Sequence, residues 1–585
     1  MEIMHSFLCS ALAAAAFTTV AANPLKPPMD EAKVAAIAAA LPEKPGLKTI
    51  YDRDRLKPGD VKSAEQLLSA PVAEAPDELY LEFSRNGNRT RYQKKYFTRR
   101  SNLERLVKAE CFERQGRFIP KIVEYLDAIN SMRSWVLPAH DGKLDVFENR
   151  VITVDLVSSS MANDLAQILL ALGERLPAAT RERTMAEMRR RVFDPYLEDN
   201  ARAGRKRNWW FFGGNNWNAV CHSGCVRGAL TILEDRTERA RFVEAGMRSQ
   251  PAFLAGFTPD GYCSEGMGYW EYGFGNYLDL GEAIREATGG KFDLFKEGGE
   301  RARAAAGYPF AYQLERNVSP HFADGGGNPS VRRREQCRRI WPDIPAEGAL
   351  PLRSAFDDAQ VYISRTVEGR PFSVAVKGGH NQEQHNHNDV GTWTLMLSRE
   401  ELAGDPGGEE YTARTFSKNR YVSKVLNSFG HPVPRVAGEL QRPGRKYAAK
   451  VLKREFTPEK DTLTLDLAGA YELPGLKRLV RTTVFDRAAR AFTVTDEVEF
   501  DSPRDFDSPI ITFCNVVKGT DASRLELKTK KGAKASVTIA AEGGEWQLQE
   551  EEIENPNRRS PKRIAVAFTR PVTTAKVSFT IKEEK

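Results

Sequence analysis

Two patterns of apolar residues follow one another along the chain, and the change between them falls near residue 350. From about residue 76 to 348, apolar positions recur at the three- and four-residue spacing of amphipathic helices, in 103–135, 152–176, 181–197, 218–233 and 237–257. Gly, Pro and Asn punctuate these stretches, which predicts several helices of ordinary length joined by short polar loops, a globular array and not a long coiled coil. Beyond Pro351 the pattern alternates: Val361 and Ile363; Phe372, Val374 and Val376; Leu463, Leu465 and Leu467; Phe492, Val494, Val498 and Phe500. Turn signals at Pro474-Gly475 and Asp486-Arg487 separate these runs as in an antiparallel sandwich. A helical half followed by a β half predicts a ligand site where the two meet.

At 585 residues the chain exceeds one ordinary core. Hydrophobic content of 41% with 28% charged residues is that of a globular protein, and no apolar run beyond the N-terminus has the length of a membrane span. Residues 1–22 carry an apolar stretch from Phe7 ending in Val20-Ala21-Ala22-Asn23, a small-residue pattern suited to signal-peptide cleavage. The expected location is therefore periplasmic or secreted. The stretch has no Lys or Arg before it, so a buried N-terminal helix is the alternative. Formal charge is +7, with basic clusters at 202–207 and 332–339 but no zinc-finger or RNA-recognition signature. That excludes nucleic acid as the expected partner and favours another polyanion. Seven cysteines form no CxxC pair, and Cys221 and Cys225 read as small residues in a helix interface.

Four segments carry chemistry that packing alone does not require. His380-Asn381-Gln382-Glu383-Gln384-His385-Asn386-His387-Asn388-Asp389 holds three of the eight histidines beside carboxylates. If the segment is extended, His385 and His387 share a face about 7 Å apart, one free to bind a metal and the other to face a substrate. Asn208-Trp209-Trp210-Phe211-Phe212-Gly213-Gly214-Asn215-Asn216-Trp217-Asn218 joins amides to aromatics, a set that can bind sugars or merely cap a helix. In 260–273, Tyr269 and Tyr272 are three apart on a predicted helix, and a tyrosine acts as a base near neutrality only beside positive charge. His387, Asp405 and His431 form a ligand mix ordinary for zinc, with Asp389 as a competing carboxylate.

Together these segments resemble the heparinase II/III family of polysaccharide lyases, through Asn215 to Cys221, Asp260-Gly261 with Glu265-Gly266 and Tyr269 to Tyr272, His385 to Gly391, and Asn427 to His431, in that order. The resemblance implies an incomplete α/α toroid followed by antiparallel β-sandwich domains, with boundaries at 1–22 (signal peptide), 23–350 (helical), 351–500 (β, with the histidines) and 501–585 (C-terminal β). It implies β-elimination on a uronic-acid polysaccharide, heparin or heparan sulfate first, leaving a 4,5-unsaturated uronate. By the same resemblance Asn216 neutralises the uronate carboxylate, Tyr269 is the catalytic phenol with Tyr272 as the fallback, and His385 is the second acid or base. Asn215, Trp217, Glu265, Tyr272, Arg205 and Trp210 are assigned to substrate, and His387, Asp405 and His431 to one structural zinc. A homodimer is admitted. The competing readings are a glycoside hydrolase using Glu265 and Asp260, and a secreted carbohydrate-binding protein without catalysis.

Overall fold

The computed structural model describes residues 28–201, 208–328, 330–344 and 350–584. The expected signal segment, residues 1–22, and Arg205 lie outside them. Two compact units divide the chain: Met1–Gly256 with Tyr272–Gly299 and Thr412–Lys418, and Phe257–Glu271 with Glu300–Tyr411 and Asn419–Lys585.

Helices build the first unit: α1 (Glu31–Ala40), α2 (Pro58–Glu65), α3 (Asp77–Asn86), α4 (Thr90–Glu113), α5 (Ile119–Asn130), α6 (Leu156–Leu172), α7 (Ala178–Met188), α8 (Asp194–Ala201), α9 (Asn216–Ile232) and α10 (Arg236–Leu254). Most of α11 (Met267–Ala287) and the start of α12 (Leu294–Ala311) also belong to it. The stretch 103–135 is not one helix. Arg114 ends α4 in the left-handed conformation, and buried Glu110 accepts the Gly116 and Phe118 amides, so the turn is held before α5 begins. Helices α6 and α9 pack with backbones in close approach, because a Cβ on Gly224 would stand 2.5 Å from the Ser159 carbonyl carbon. The α6 region, Leu156–Arg175, is long and apolar enough to cross a membrane, contrary to the sequence expectation, but 67% of it is buried inside the structure, as a core helix is.

The second unit contains α13 (Val331–Ile340) and all strands of the described residues. Strands β1 (Arg353–Phe356), β2 (Val361–Arg365), β3 (Phe372–Lys377), β5 (Trp393–Leu397) and β6 (Glu400–Gly404) form one antiparallel sheet in that order. A short strand, β4 (His380–Asn381), pairs with β8 (Gly444–Ala448). An eight-stranded sheet runs β14 (Asn515–Lys518), β15 (Arg524–Lys528), β16 (Lys534–Glu542), β19 (Val572–Glu583), β12 (Ala491–Arg504), β11 (Leu476–Asp486), β10 (Lys460–Asp466), β9 (Lys450–Phe456). A third sheet runs β17 (Trp546–Glu552), β18 (Lys562–Phe568), β13 (Phe506–Thr512), β7 (Arg435–Val436). Strands β12 and β19 pair along their length, so residues on both sides of position 500 share one sheet.

Residues from all three large sheets form one core, in which Trp393 meets Phe492 at 5.1 Å and Phe372 meets Phe485 at 5.4 Å. Strands β2, β3 and β5 are buried at every position. One reason is visible at β1, where Phe356 packs against Tyr262, Tyr308 and Tyr312 of the same unit. A sheet covered on two faces needs no polar side, so alternation describes β10 better than β3.

Candidate active site

Glycine contacts assemble the site within the second unit. The Gly266 carbonyl opens the first turn of α11 by accepting the Trp270 amide at 3.0 Å, and the Gly268 amide donates to the Gly325 carbonyl at 2.8 Å. A Cβ on Gly325 would lie 1.8 Å from the Glu265 carbonyl oxygen and 2.8 Å from Tyr269 Cδ2, so only glycine allows this approach. That contact sets the start of α11, with Tyr269, against the loop that carries Asp324.

The histidine segment is not extended, which corrects the sequence expectation. Strand β4 stops at Asn381, and His385 has φ 53°, in the left-handed region. Such a conformation costs a residue other than glycine about 1–3 kcal/mol and persists only where neighbours enforce it. Here Arg420 donates to the carbonyls of His385 (3.2 Å) and Asn386 (2.9 Å), and the Asn386 side chain accepts the Glu383 amide. Buried Lys377 closes the base of the loop, holding Glu383 at 2.8 Å and Asp389 at 3.0 Å. The two histidines do not share a strand face; they share a carboxylate. His385 Nδ1 lies 3.1 Å from Asp324 Oδ2, and His387 Nε2 lies 2.8 Å from Asp324 Oδ1.

Around His385 stand two phenols. The Tyr269 ring stacks on the imidazole with centroids 4.3 Å apart, the Tyr411 hydroxyl lies 3.2 Å from His385 Nδ1, and the two hydroxyls are 2.9 Å apart. Glu265 Oε2 is 3.4 Å from His385 Nε2. Burial pushes the Asp324 carboxyl up, but hydrogen bonds from His385 and His387 and the charge of Arg420 outweigh it and hold the group well below the usual carboxylate range. Burial, then the Asp324 charge, pushes the Tyr411 phenol well up. Asp260, the other acid of the hydrolase reading, accepts from the Thr258 hydroxyl and the Asp358 amide.

His387, Asp405 and His431 form a buried group whose ligand atoms all lie within 4.8 Å of one another. His387 Nδ1 and His431 Nε2 are buried without a hydrogen-bond partner, a costly state that a metal ion would relieve. Asp405 accepts from Thr392 Oγ1, the Gly407 amide and His431 Nδ1. Two neutral nitrogens and a carboxylate suit a divalent transition metal. The competing carboxylate, Asp389, is committed to Lys377. Arg481 of β11, paired with Asp496 at 2.6 Å, donates to the carbonyls of Gly391 and Pro432, tying the segments after both histidines to the large sheet.

The remaining assigned residues lie in the first unit and are described there. Asn215 caps α9, its side chain accepting the Trp217 amide. Asn216, at the first helical position, is 6% exposed, and its carboxamide has no protein partner among the described residues. Trp217 packs edge-on against His140 and beside Trp209, which is 43% exposed. Trp210 is 1% exposed and donates to the Val154 carbonyl, the place of a core residue, as the capped-helix alternative allows. His222 is likewise a core residue, pushed down to about 3 by burial. Tyr272 is 39% exposed. Asp324, Tyr411 and Arg420 escaped the sequence reading. Asp324 had a signal: it precedes Gly325-Gly326-Gly327, the chain's only run of three glycines.

No family profile and no curated protein matches the sequence. Solved structures do match. A heparinase III structure superposes with a TM-score of 0.64 at 16% identity, over 99% of this chain and 89% of that one. A second heparinase III gives 0.67 at 11% identity over 95% and 89%. The heparan sulfate lyase of Pedobacter heparinus gives 0.57 at 14% identity over 99% and 87%, and a chondroitin AC lyase of Streptomyces coelicolor 0.51 at 10% over 94% and 82%. At such identities the likeness is one of fold, and it agrees with the element order described above: the chain has the fold of the heparinase III and heparan sulfate lyases, an α/α toroid followed by antiparallel β-sandwich sheets.

Proposed function

We propose that the protein is a secreted or periplasmic lyase that cleaves a uronic-acid-containing polysaccharide, heparin or heparan sulfate before other glycosaminoglycans, by β-elimination. The observation that carries this reading is the convergence of Tyr269, Tyr411 and His385 within one compact unit, at 2.9, 3.2 and 4.3 Å. The fold shared with lyases of such polymers supports it, and residues 1–22 support export.

Elimination needs a base for the C5 proton and an acid for the leaving oxygen. The C5–H electron pair becomes the C4–C5 double bond, the C4–O4 bond breaks, and O4 takes a proton; no water is consumed. Tyr269 and His385 fill the two proton-transfer roles. Negative charge builds on the uronate carboxylate, and Asn216, an amide at the N-terminus of α9 without a protein partner among the described residues, is the donor assigned to it. Glu265 and Trp217 contribute to substrate binding. Zinc is the ion assigned to His387, Asp405 and His431, where when bound it supplies a rigid cross-link between the segments behind His385.

The test is a panel of uronate polysaccharides followed by ultraviolet absorbance of the unsaturated product. Wild type should generate absorbance, and Tyr269→Phe and His385→Ala should each lose about 10²- to 10⁴-fold in rate. Full activity in both variants, or new reducing ends without absorbance, overturns the reading.

A further inference from the structure

Asp324 is a single carboxylate shared by two histidines with different tasks. Its side chain is 1% exposed, and each oxygen meets a different imidazole: Oδ2 faces Nδ1 of His385 at 3.1 Å, Oδ1 faces Nε2 of His387 at 2.8 Å. Arg420 Nη2 adds a third donor at 2.9 Å from Oδ2. An ionised carboxylate accepts hydrogen bonds and donates none, whereas a neutral imidazole has one N–H and one lone pair. Each ring nitrogen that faces Asp324 must therefore carry its hydrogen.

We propose that Asp324 is a positioning residue that selects the working nitrogen of both histidines, in opposite senses. His385 keeps its hydrogen on Nδ1 and turns Nε2 towards Glu265 Oε2, 3.4 Å away. His387 keeps its hydrogen on Nε2 and presents the Nδ1 lone pair. A second observation agrees independently: Nδ1 of His387 is the buried nitrogen left without a hydrogen-bond partner, in the group that could hold a metal. One carboxylate thus leaves His387 Nδ1 to the metal group and His385 Nε2 to the side of Glu265 and the substrate.

With φ 53° at His385, the two rings reach Asp324 through different nitrogens. Room for the carboxylate is kept by glycine on both sides: the run Gly325 to Gly327 follows it, and a Cβ on Gly408 would stand 3.1 Å from Oδ1.

Only the catalytic use of His385 Nε2 rests on the lyase reading; the tautomer assignment does not. The experiment records ring-nitrogen shifts and two-bond couplings in protein labelled with ¹⁵N-histidine, with and without added Zn²⁺, assigning signals through His385→Gln and His387→Gln. The expected result is an Nδ1–H tautomer at His385 and an Nε2–H tautomer at His387, with Zn²⁺ moving Nδ1 of His387. Asp324→Asn, which puts a donor where an acceptor stood, should change at least one tautomer and weaken Zn²⁺ binding about 10- to 100-fold. Its kcat on the uronate substrate should fall by about 10²-fold or more with KM changed far less. Asp324→Glu should restore part of both. The opposite tautomer at either histidine in wild type, or an unchanged pattern in Asp324→Asn, overturns the proposal. The wild-type spectrum decides even if the variant does not fold. The expected tautomers in a protein inactive on every uronate polymer sustain this assignment while removing the lyase reading.

Discussion

The Tyr411 hydroxyl lies 2.9 Å from the Tyr269 hydroxyl, so a catalytic phenol assigned from the sequence has a second phenol as its hydrogen-bond partner. Burial and the Asp324 charge keep Tyr411 protonated, which makes it a donor able to stabilise a Tyr269 phenolate. Tyr411→Phe should lower kcat by about tenfold or more, less than the loss in Tyr269→Phe, and should move the alkaline limb of the rate profile upward. Equal rates for Tyr411→Phe and wild type across that profile would show that the pair has no kinetic role.

The adjacent asparagines should separate cleanly. Asn215 is a helix cap, so Asn215→Ala should cost about 1 kcal/mol of stability in denaturant titration. Asn216 has no protein partner to lose among the described residues, so Asn216→Ala should leave stability nearly unchanged while lowering kcat by about 10²- to 10³-fold. A reversed pattern would transfer the neutralising role to Asn215.

Metal removal should be visible without any substrate. Purified protein is expected to contain one zinc per chain by elemental analysis, and chelation should lower Tm in a manner reversed by added Zn²⁺. His431→Ala should abolish that Zn²⁺-dependent rise. A Tm that ignores both chelator and Zn²⁺ in wild type would leave His387, Asp405 and His431 as a hydrogen-bonded core cluster.

Glu315 supplies a pH signature remote from these ligands. Burial pushes its carboxyl up to about 7. Because the folded value exceeds the unfolded one, the protonated form favours folding: its contribution is full below about pH 4.5 and is lost as pH rises through about 7. The loss is about 3 kcal/mol. Glu315→Gln should therefore remove a downward slope in stability between those pH values, read from urea midpoints. An identical slope in the variant would assign the dependence to other groups.

Arg481 and Asp496 form a buried pair, both side chains 1% exposed, and Arg481 also holds two loop carbonyls. Arg481→Met leaves the carboxylate unpaired and should cost about 3–5 kcal/mol. Zn²⁺ affinity should fall with it, since the Gly391 and Pro432 carbonyls lose their donor. An unchanged Zn²⁺ affinity would mean that the metal segments hold their form without β11.

Local pattern and residue type were enough for the order of elements and for one candidate metal group. Helical spacing from 76 to 348 and alternation beyond 351 were legible because the period of burial is written into each segment by its own backbone geometry. The grouping of His387, Asp405 and His431 could be assigned from residue types and family resemblance, and the structure brings the three together in the core. What the chain alone concealed were contacts made by residues far apart in sequence. Asp324 is more than sixty positions from His387, and Tyr411 more than a hundred and forty from Tyr269, so no local period links them. The tertiary structure also decided the backbone at His385, which extended-strand reasoning placed on a face it does not occupy. A left-handed residue is costly in isolation, and here a donor distant in sequence, Arg420, helps to hold it. Spacing along a chain reports the preferences of neighbours; a site held by close glycine contacts and one shared carboxylate is determined only when the loops that carry them meet.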